Sequence, residues 1–434
     1  MNDRIEKVTT LAKSATARDT AVLFSGNVLA AFLGFLFTLI IARALSVEEF
    51  GVFSAASNLF IILSSLSDLG LSSGIVNFVS EYLGKNDETT ANNYAKAAFI
   101  IKVVIAAVLS LLVVVFAGFV SRSWLATSDK TVAYWTALLS FSAILWGFLP
   151  YILQAKKQFL KSVMIDISIS LPKAIIPFLF IQFGVLTLGK TFLAYFLSLI
   201  IAGIVGLIFT GTRFLRAQAR KSNYIDLLKF SGWLGVNRIV SSISGKLDIQ
   251  MLAALAGAVA TGLYSIPSRL ASFISVLASS YSSVLAPRFS SFGDKAKERE
   301  YLIKSCLPLI PIVFGLILWI IIAHPFITIL FGDKYAPSVS VFQALVAAMI
   351  PFMIGVPSVT AIIYGMKQTK FIGFFSFFQI AVIFFINLIF IPKFGVFGPT
   401  LALGVVNTAL AIYSWTIVVR YYWGNNFAAR APET

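Results

Sequence analysis

The sequence predicts an all-α polytopic membrane protein, with twelve transmembrane helices forming two parallel six-helix repeats around a central cavity. Three observations predict it. Of 434 residues, 59% are hydrophobic and 12% charged, about half the charged fraction of an ordinary soluble chain. The apolar residues lie in long runs and not in ten-residue alternating segments, which excludes a transmembrane β-barrel and a soluble enzyme on a single anchor. The first half of the chain is also echoed in the second, 211 residues later.

Twelve runs reach or approach the roughly 20 residues that cross a bilayer. They cover 21–44, 50–80, 94–120, 132–155, 162–183, 188–211, 228–256, 259–287, 303–323, 338–363, 371–391 and 396–419. The expected organisation is a cytoplasmic amino-terminal segment (1–20), a first six-helix half (21–211), a cytoplasmic linker (212–227), a second half (228–419) and a cytoplasmic tail (420–434). Mostly polar residues precede the first run, so it is expected to remain as a span and not to be removed as a signal peptide.

Lys and Arg set the orientation, because cytoplasmic loops are enriched in them. With the amino terminus inside, 23 fall on the cytoplasmic side and six on the other, which places both termini in the cytoplasm. Of the net charge of +16, +12 is then on that side and +2 within the spans. The basic excess is read as orientation and contact with anionic lipids at the cytoplasmic face, not as a nucleic-acid surface.

The repeat rests on three matches in order. Gly51-Val-Phe-Ser-Ala-Ala-Ser-Asn-Leu59 aligns with Gly262-Leu-Tyr-Ser-Ile-Pro-Ser-Arg-Leu270, and Phe183-Gly-Val185 with Phe394-Gly-Val396, both at 211; Phe24-Ser-Gly26 aligns with Phe230-Ser-Gly232 at 206. Six spans per half means that the second half re-enters with the orientation of the first. Transporters built from parallel repeats have this plan, with substrate bound near the midplane between the repeats.

Ionisable side chains at bilayer depth are costly and are functional candidates by default. Eight lie within the spans: Asp68, Lys102, Asp166, Lys173, Arg238, Lys246, Asp248 and Arg269. Lys102 is near a span end and is expected to snorkel to the headgroups. If 230–257 is one helix, Arg238, Ser241, Ser242 and Gly245 share a face, flanked by Lys246 and Asp248 on opposite sides. Those two are either cavity groups or partners of residues on other helices. Asp166, Ser170 and Lys173 share a face of the fifth span, turned to the cavity or to one another. Ser268, Ser272, Ser275, Ser279 and Ser282 form a small-residue stripe beside Arg269, read first as a packing seam.

Catalytic machinery is not legible. The single Cys306 lies in an apolar run and the single His324 at a span end. There is no Walker loop, no metal-ligand spacing and no nucleophile with base and orienter. No enzyme activity and no cofactor are expected, and no metal site is assigned.

The stretch Ala42-Arg-Ala-Leu-Ser-Val-Glu-Glu-Phe-Gly-Val-Phe53 after the first span resembles that of the oligosaccharide flippases of the multidrug/oligosaccharidyl-lipid/polysaccharide (MOP) exporter superfamily. So does a polar seventh span ending in Asp248 to Met251 and followed by Gly262-Leu-Tyr264. The resemblance covers essentially the whole chain through loose patterns. It implies an inner-membrane flippase for polyprenyl-pyrophosphate-linked oligosaccharide in surface polysaccharide or O-antigen biosynthesis, with polysaccharide-assembly proteins as partners. On that reading, Arg238, Lys246, Arg269 and Lys173 meet the pyrophosphate and Asn27 lines a wet route for sugars. Asp68, Asp166 and Asp248 steady the basic groups or bind a coupling Na+ or proton. A cation-coupled multidrug antiporter of the same superfamily and a polytopic glycan-processing enzyme are the alternatives.

Overall fold

The computed structural model describes residues 15–424, without the side chains of 15–17, 233, 234, 236–241 and 244. Every regular element among them is helical. Ten segments among the described residues are long and apolar enough to cross a membrane. One of these, Thr369–Trp423, holds two helices separated by the 3-10 turn Gly395–Phe397. Another, Leu247–Ser291, is interrupted at Gly257, where φ is 84°. Dividing the first gives eleven segments of crossing length among the described residues; the part of Leu247–Ser291 before Gly257 is short of a crossing, and the seventh expected span, 228–256, is not among them. Many large side chains on the outside are apolar and open, among them Phe183 and Phe374 at 75% exposure and Ile208 at 71%. Such a surface has lipid as its solvent, and the chain is a multi-pass membrane protein.

The chain forms two compact units that divide at Lys246–Leu247. The first contains α1 (Ala15–Ala44), α2 (Val47–Asp68), α3 (Leu71–Gly84), α4 (Glu88–Val115), α5 (Ala117–Trp124), α6 (Lys130–Trp146), α7 (Leu149–Ala155), α8 (Phe159–Gln182), α9 (Leu188–Thr210) and α10 (Lys221–Ser244). The second contains α11 (Leu247–Ser291), α12 (Lys295–Cys306), α13 (Leu309–Ile321), α14 (Ala323–Phe331), α15 (Ser338–Thr360), α16 (Thr369–Phe394) and α17 (Gly398–Trp423). In the first unit α1 packs on α8, α8 on α9, and α4 on α6; in the second α15 packs on α17 and α11.

Local chemistry explains the boundaries. Ser46 and Glu49, inside the stretch that carries the family resemblance, form a capping box: Glu49 N–H donates to Ser46 Oγ at 3.1 Å and Ser46 N–H to Glu49 Oε2 at 2.9 Å. Two orphan donors at the start of α2 are thereby satisfied. The second expected span, 50–80, is not one helix. It breaks at Leu69 and Gly70, with φ of 44° and 75°, so that Gly70 supplies a conformation costly for side chains. A break at membrane depth is tolerated where protein covers it, and α10 does so. A Cβ on Gly235 would lie 2.5 Å from the carbonyl carbon of Leu69.

The seventh expected span also differs. Helix α10 ends at Ser244, and Gly245 and Lys246 form a turn closed by Lys246 N–H to Ile243 O at 3.0 Å. A new helix begins at Leu247, and Asp248 in its first turn accepts from Ile249 N–H through Oδ1 at 2.7 Å. A carboxylate at a helix start complements the local dipole. The expectation of one helix over 230–257, with Lys246 and Asp248 flanking the Arg238 face, therefore fails, because the chain turns at Gly245 and Lys246.

Candidate functional site in the first unit

The polar centre of the first unit is built on the α2–α3 break. Asp68 is the last residue of α2, and its Oδ1 accepts from the backbone N–H of Ser72 at 3.3 Å and from the Ser72 hydroxyl. The carboxylate thus binds the first turn of α3, where unpaired N–H groups favour an anion. Lys102, about four turns into α4, places Nζ 3.2 Å from the same oxygen. Their side chains are 14% and 5% exposed.

The expectation that Lys102 snorkels is corrected here. Snorkelling requires an open path to the headgroups, whereas the packing of α4 on α3 and α6 encloses this stem and the charge finds a carboxylate instead. The signal available in the sequence was one acid and one base within successive spans.

The pair opens on a cavity of about 750 Å³. Hydroxyls of Ser64, Ser65, Ser73 and Tyr151 line it, with Phe60 and Ile61 as apolar wall. An ion pair held by hydroxyls at a helix break is a group whose charge can be exchanged. A cation or a proton at Asp68 would compete with Lys102, and an anion at Lys102 would compete with Asp68.

A second basic group adjoins the cavity wall. Lys173 Nζ is 4.8 Å from the ring centre of Tyr195 and 5.1 Å from that of Phe37. Tyr195 packs edge-on against Phe60 at 5.5 Å. Ring quadrupoles attract a cation at this range. Asp166 and Ser170 lie on the same helix, half-buried and buried respectively. Asn27 is exposed on α1. The Arg238 side chain lies outside the described residues. Lys246 is half-buried, and its backbone carbonyl accepts from Asn58 Nδ2 at 2.8 Å, which fixes the turn after α10 to α2.

In the second unit, Asp248 Oδ2 accepts from the hydroxyl of Tyr264 at 2.8 Å, and Tyr264 is fully buried. Asp248 thereby holds its own helix start and Tyr264. Arg269 is half-buried on α11, and its carbonyl accepts from Ser272. Ser282 pairs with Thr360 at 2.9 Å, which makes one member of the serine stripe an α11–α15 contact. Among the described residues, no group of three or more His, Cys, Asp or Glu is placed to hold a metal ion.

The comparisons with known proteins agree with this architecture. A membrane protein of Klebsiella pneumoniae, described as uncharacterized and located in the cps region, is 22% identical over 416 residues, covering 91% of this chain and 80% of its own length. A multidrug resistance MATE family transporter of the MOP superfamily, solved in an inward-facing conformation, matches with a TM-score of 0.73 at 14% identity, covering 92% of this chain and 96% of that one. The lipid II flippase MurJ in an inward closed conformation matches with a TM-score of 0.73 at 17% identity, covering 92% and 87%. A MOP superfamily transporter from Pyrococcus furiosus, whose binding pocket is described as reversed in polarity, matches at 0.60 and 13%, covering 92% and 94%. These likenesses give the fold. The family model for polysaccharide biosynthesis proteins matches residues 16–293, well over half of the chain, and the protein belongs to that family.

Proposed function

We propose that the protein flips polyprenyl-pyrophosphate-linked oligosaccharide from the cytoplasmic to the outer leaflet of the inner membrane by alternating access, coupled to Na+ or a proton. The observation that carries this reading is the buried Asp68–Lys102 pair on a hydroxyl-lined cavity, in a chain of the polysaccharide biosynthesis family with the MOP transporter fold. A buried, exchangeable ion pair is suited to coupling. Cation or proton binding at Asp68 releases Lys102, and the freed ammonium is an anion receptor in a medium of low dielectric.

Arg238, Lys246, Arg269 and Lys173 are proposed to meet the pyrophosphate during passage, through charge-assisted hydrogen bonds. Asn27 and the cavity hydroxyls would carry the sugars, and Asp166 and Asp248 would steady the basic groups. The basic excess supports cytoplasmic termini and contact with anionic lipids, and polysaccharide-assembly proteins would use the product.

The test is complementation of a strain that lacks its own glycan flippase, with insertion verified. Arg238→Ala/Arg269→Ala and Asp68→Asn should each abolish polymer export; normal export by both would overturn the reading. Cation-coupled drug export is the second reading, supported by the likeness to the multidrug transporter fold. Robust efflux of organic cations from proteoliposomes, without glycan flipping, would put it first.

A further inference from the structure

The first part of the linker expected over 212–227 is docked on the first unit. Its 3-10 turn, Arg213–Arg216, carries Phe214, which is 2% exposed and packs edge-on against Phe99 at 5.9 Å and Phe148 at 5.8 Å. Three polar clamps hold the turn. Lys156 Nζ donates to Thr210 O at 3.1 Å, Lys96 Nζ to Leu215 O at 2.9 Å, and Arg220 N–H to Asn223 Oδ1 at 2.8 Å.

From this anchored turn Arg213, Arg216 and Arg220 surround a cavity of about 430 Å³ whose other wall is Thr89, Asn92 and Asn93, in the first turns of α4. A neighbouring cavity of about 510 Å³ shares Asn92 and Arg213 and includes Lys156. Glu88 Oε2 lies 3.7 Å from Arg213 Nη1, with both side chains mostly exposed, so that pair is weak and easily displaced. Burial and the neighbouring cations Lys161 and Arg213 outweigh Glu88 and hold the Lys156 ammonium below the usual lysine range. An added anion would relieve that strain.

Orientation alone would need only basic residues on a mobile loop. Here the two lysines are used on backbone carbonyls, and the three basic groups that line the basin are arginines, whose planar forks match phosphate oxygens in pairs. The scaffold is ordered before any ligand arrives, which lowers the ordering cost of binding.

We infer that this basin binds a phosphate ester at the membrane surface. The ester belongs either to the pyrophosphate of the lipid-linked glycan before entry, which rests on the function proposed above, or to the phosphodiester of an anionic bilayer lipid.

The test uses the full-length protein in nanodiscs of phosphatidylcholine, with farnesyl pyrophosphate and phosphatidylglycerol as probes and native mass spectrometry as readout. The triple variant Arg213→Ala/Arg216→Ala/Arg220→Ala should lose tenfold or more in affinity for at least one probe, while Lys367→Ala/Lys370→Ala retains it. Loss for farnesyl pyrophosphate identifies the substrate headgroup; loss for phosphatidylglycerol alone identifies the bilayer lipid. The triple lysine variant, which keeps the charge and loses the fork, should bind at an intermediate level. Equal binding of both probes by wild type and the triple alanine variant, with unchanged melting temperatures, would overturn the inference. Glycan flipping is measured in parallel. Flipping by wild type with no binding difference sinks this site alone, whereas a binding difference in a protein that flips no glycan sinks only the function.

Discussion

Lys102 Nζ lies 3.2 Å from Asp68 Oδ1, and that oxygen also accepts from Ser72 at the start of the next helix. One carboxylate oxygen therefore joins α2, α3 and α4 at the point where the chain breaks at Leu69–Gly70. The arrangement serves packing and charge at once, since removal of either partner takes the opposite charge from a group held inside protein.

Removal of one partner should cost more than removal of both. Lys102→Met or Asp68→Leu alone is expected to destabilise the first unit by about 3–5 kcal/mol, as for other broken buried pairs, and the double variant by clearly less. Melting of the purified single and double variants in detergent checks this. Additive losses would show that the two charges are energetically independent.

Gly235 should not tolerate a methyl group. Its added Cβ would meet the backbone carbonyl carbon, oxygen and Cα of Leu69 at 2.5–2.8 Å, and backbone cannot rotate away as a side chain can. Gly235→Ala is expected to destabilise by about 1–3 kcal/mol, as overpacking does. Gly232→Ala on the same helix, where no atom lies within 4 Å of the added carbon, should be neutral or stabilising; equal losses at the two positions would refute the close approach.

Tyr195 is expected to matter to Lys173 through its ring face. Tyr195→Phe retains the ring contact at 4.8 Å and should leave transport near wild type, whereas Tyr195→Leu should lower it several-fold, given about 0.5–2 kcal/mol for a cation over an aromatic ring. Initial rates in proteoliposomes at matched protein density provide the measurement. A similar loss with phenylalanine would shift the role to the hydroxyl.

Lys156 should lose its proton below the free-lysine value of about 10.4, because burial first, then Lys161 and Arg213, disfavour its charge. The folded state binds this proton less tightly than the unfolded chain does. The stability penalty is therefore present at neutral pH and is relieved as pH rises through the lowered value toward the unfolded one. Amine labelling followed by peptide mass spectrometry should give Lys156 a labelling midpoint below that of free lysine. A midpoint at or above it would contradict the burial.

Much of the fold was legible because it depends on local quantities. Hydrophobic length marked the crossings, and the stretch around Ser46 and Glu49 was singled out before its capping box was visible. Asp68 and Lys173 were marked by the rarity of charge at bilayer depth, and each has a specific partner in the structure. The Lys102 pairing was not legible, since snorkelling and pairing differ only in what surrounds the stem. Neither was the turn at Gly245–Lys246, where hydropathy continues although the helix does not. The arginines at 213, 216 and 220 were counted only as orientation, because nothing local indicates that Phe214 is buried.

The sequence by itself determined the solvent of this protein and marked most of its crossings, because transfer free energy is summed over neighbouring residues. Tertiary structure alone decided which charges are paired, where helices break and which linker is fixed. Those outcomes rest on contacts between residues far apart in the chain, 34 positions for Lys102 and Asp68 and 119 for Lys96 and the carbonyl of Leu215. In a bilayer, which offers no water to an unpaired group, such contacts decide whether a charge is a liability or a site.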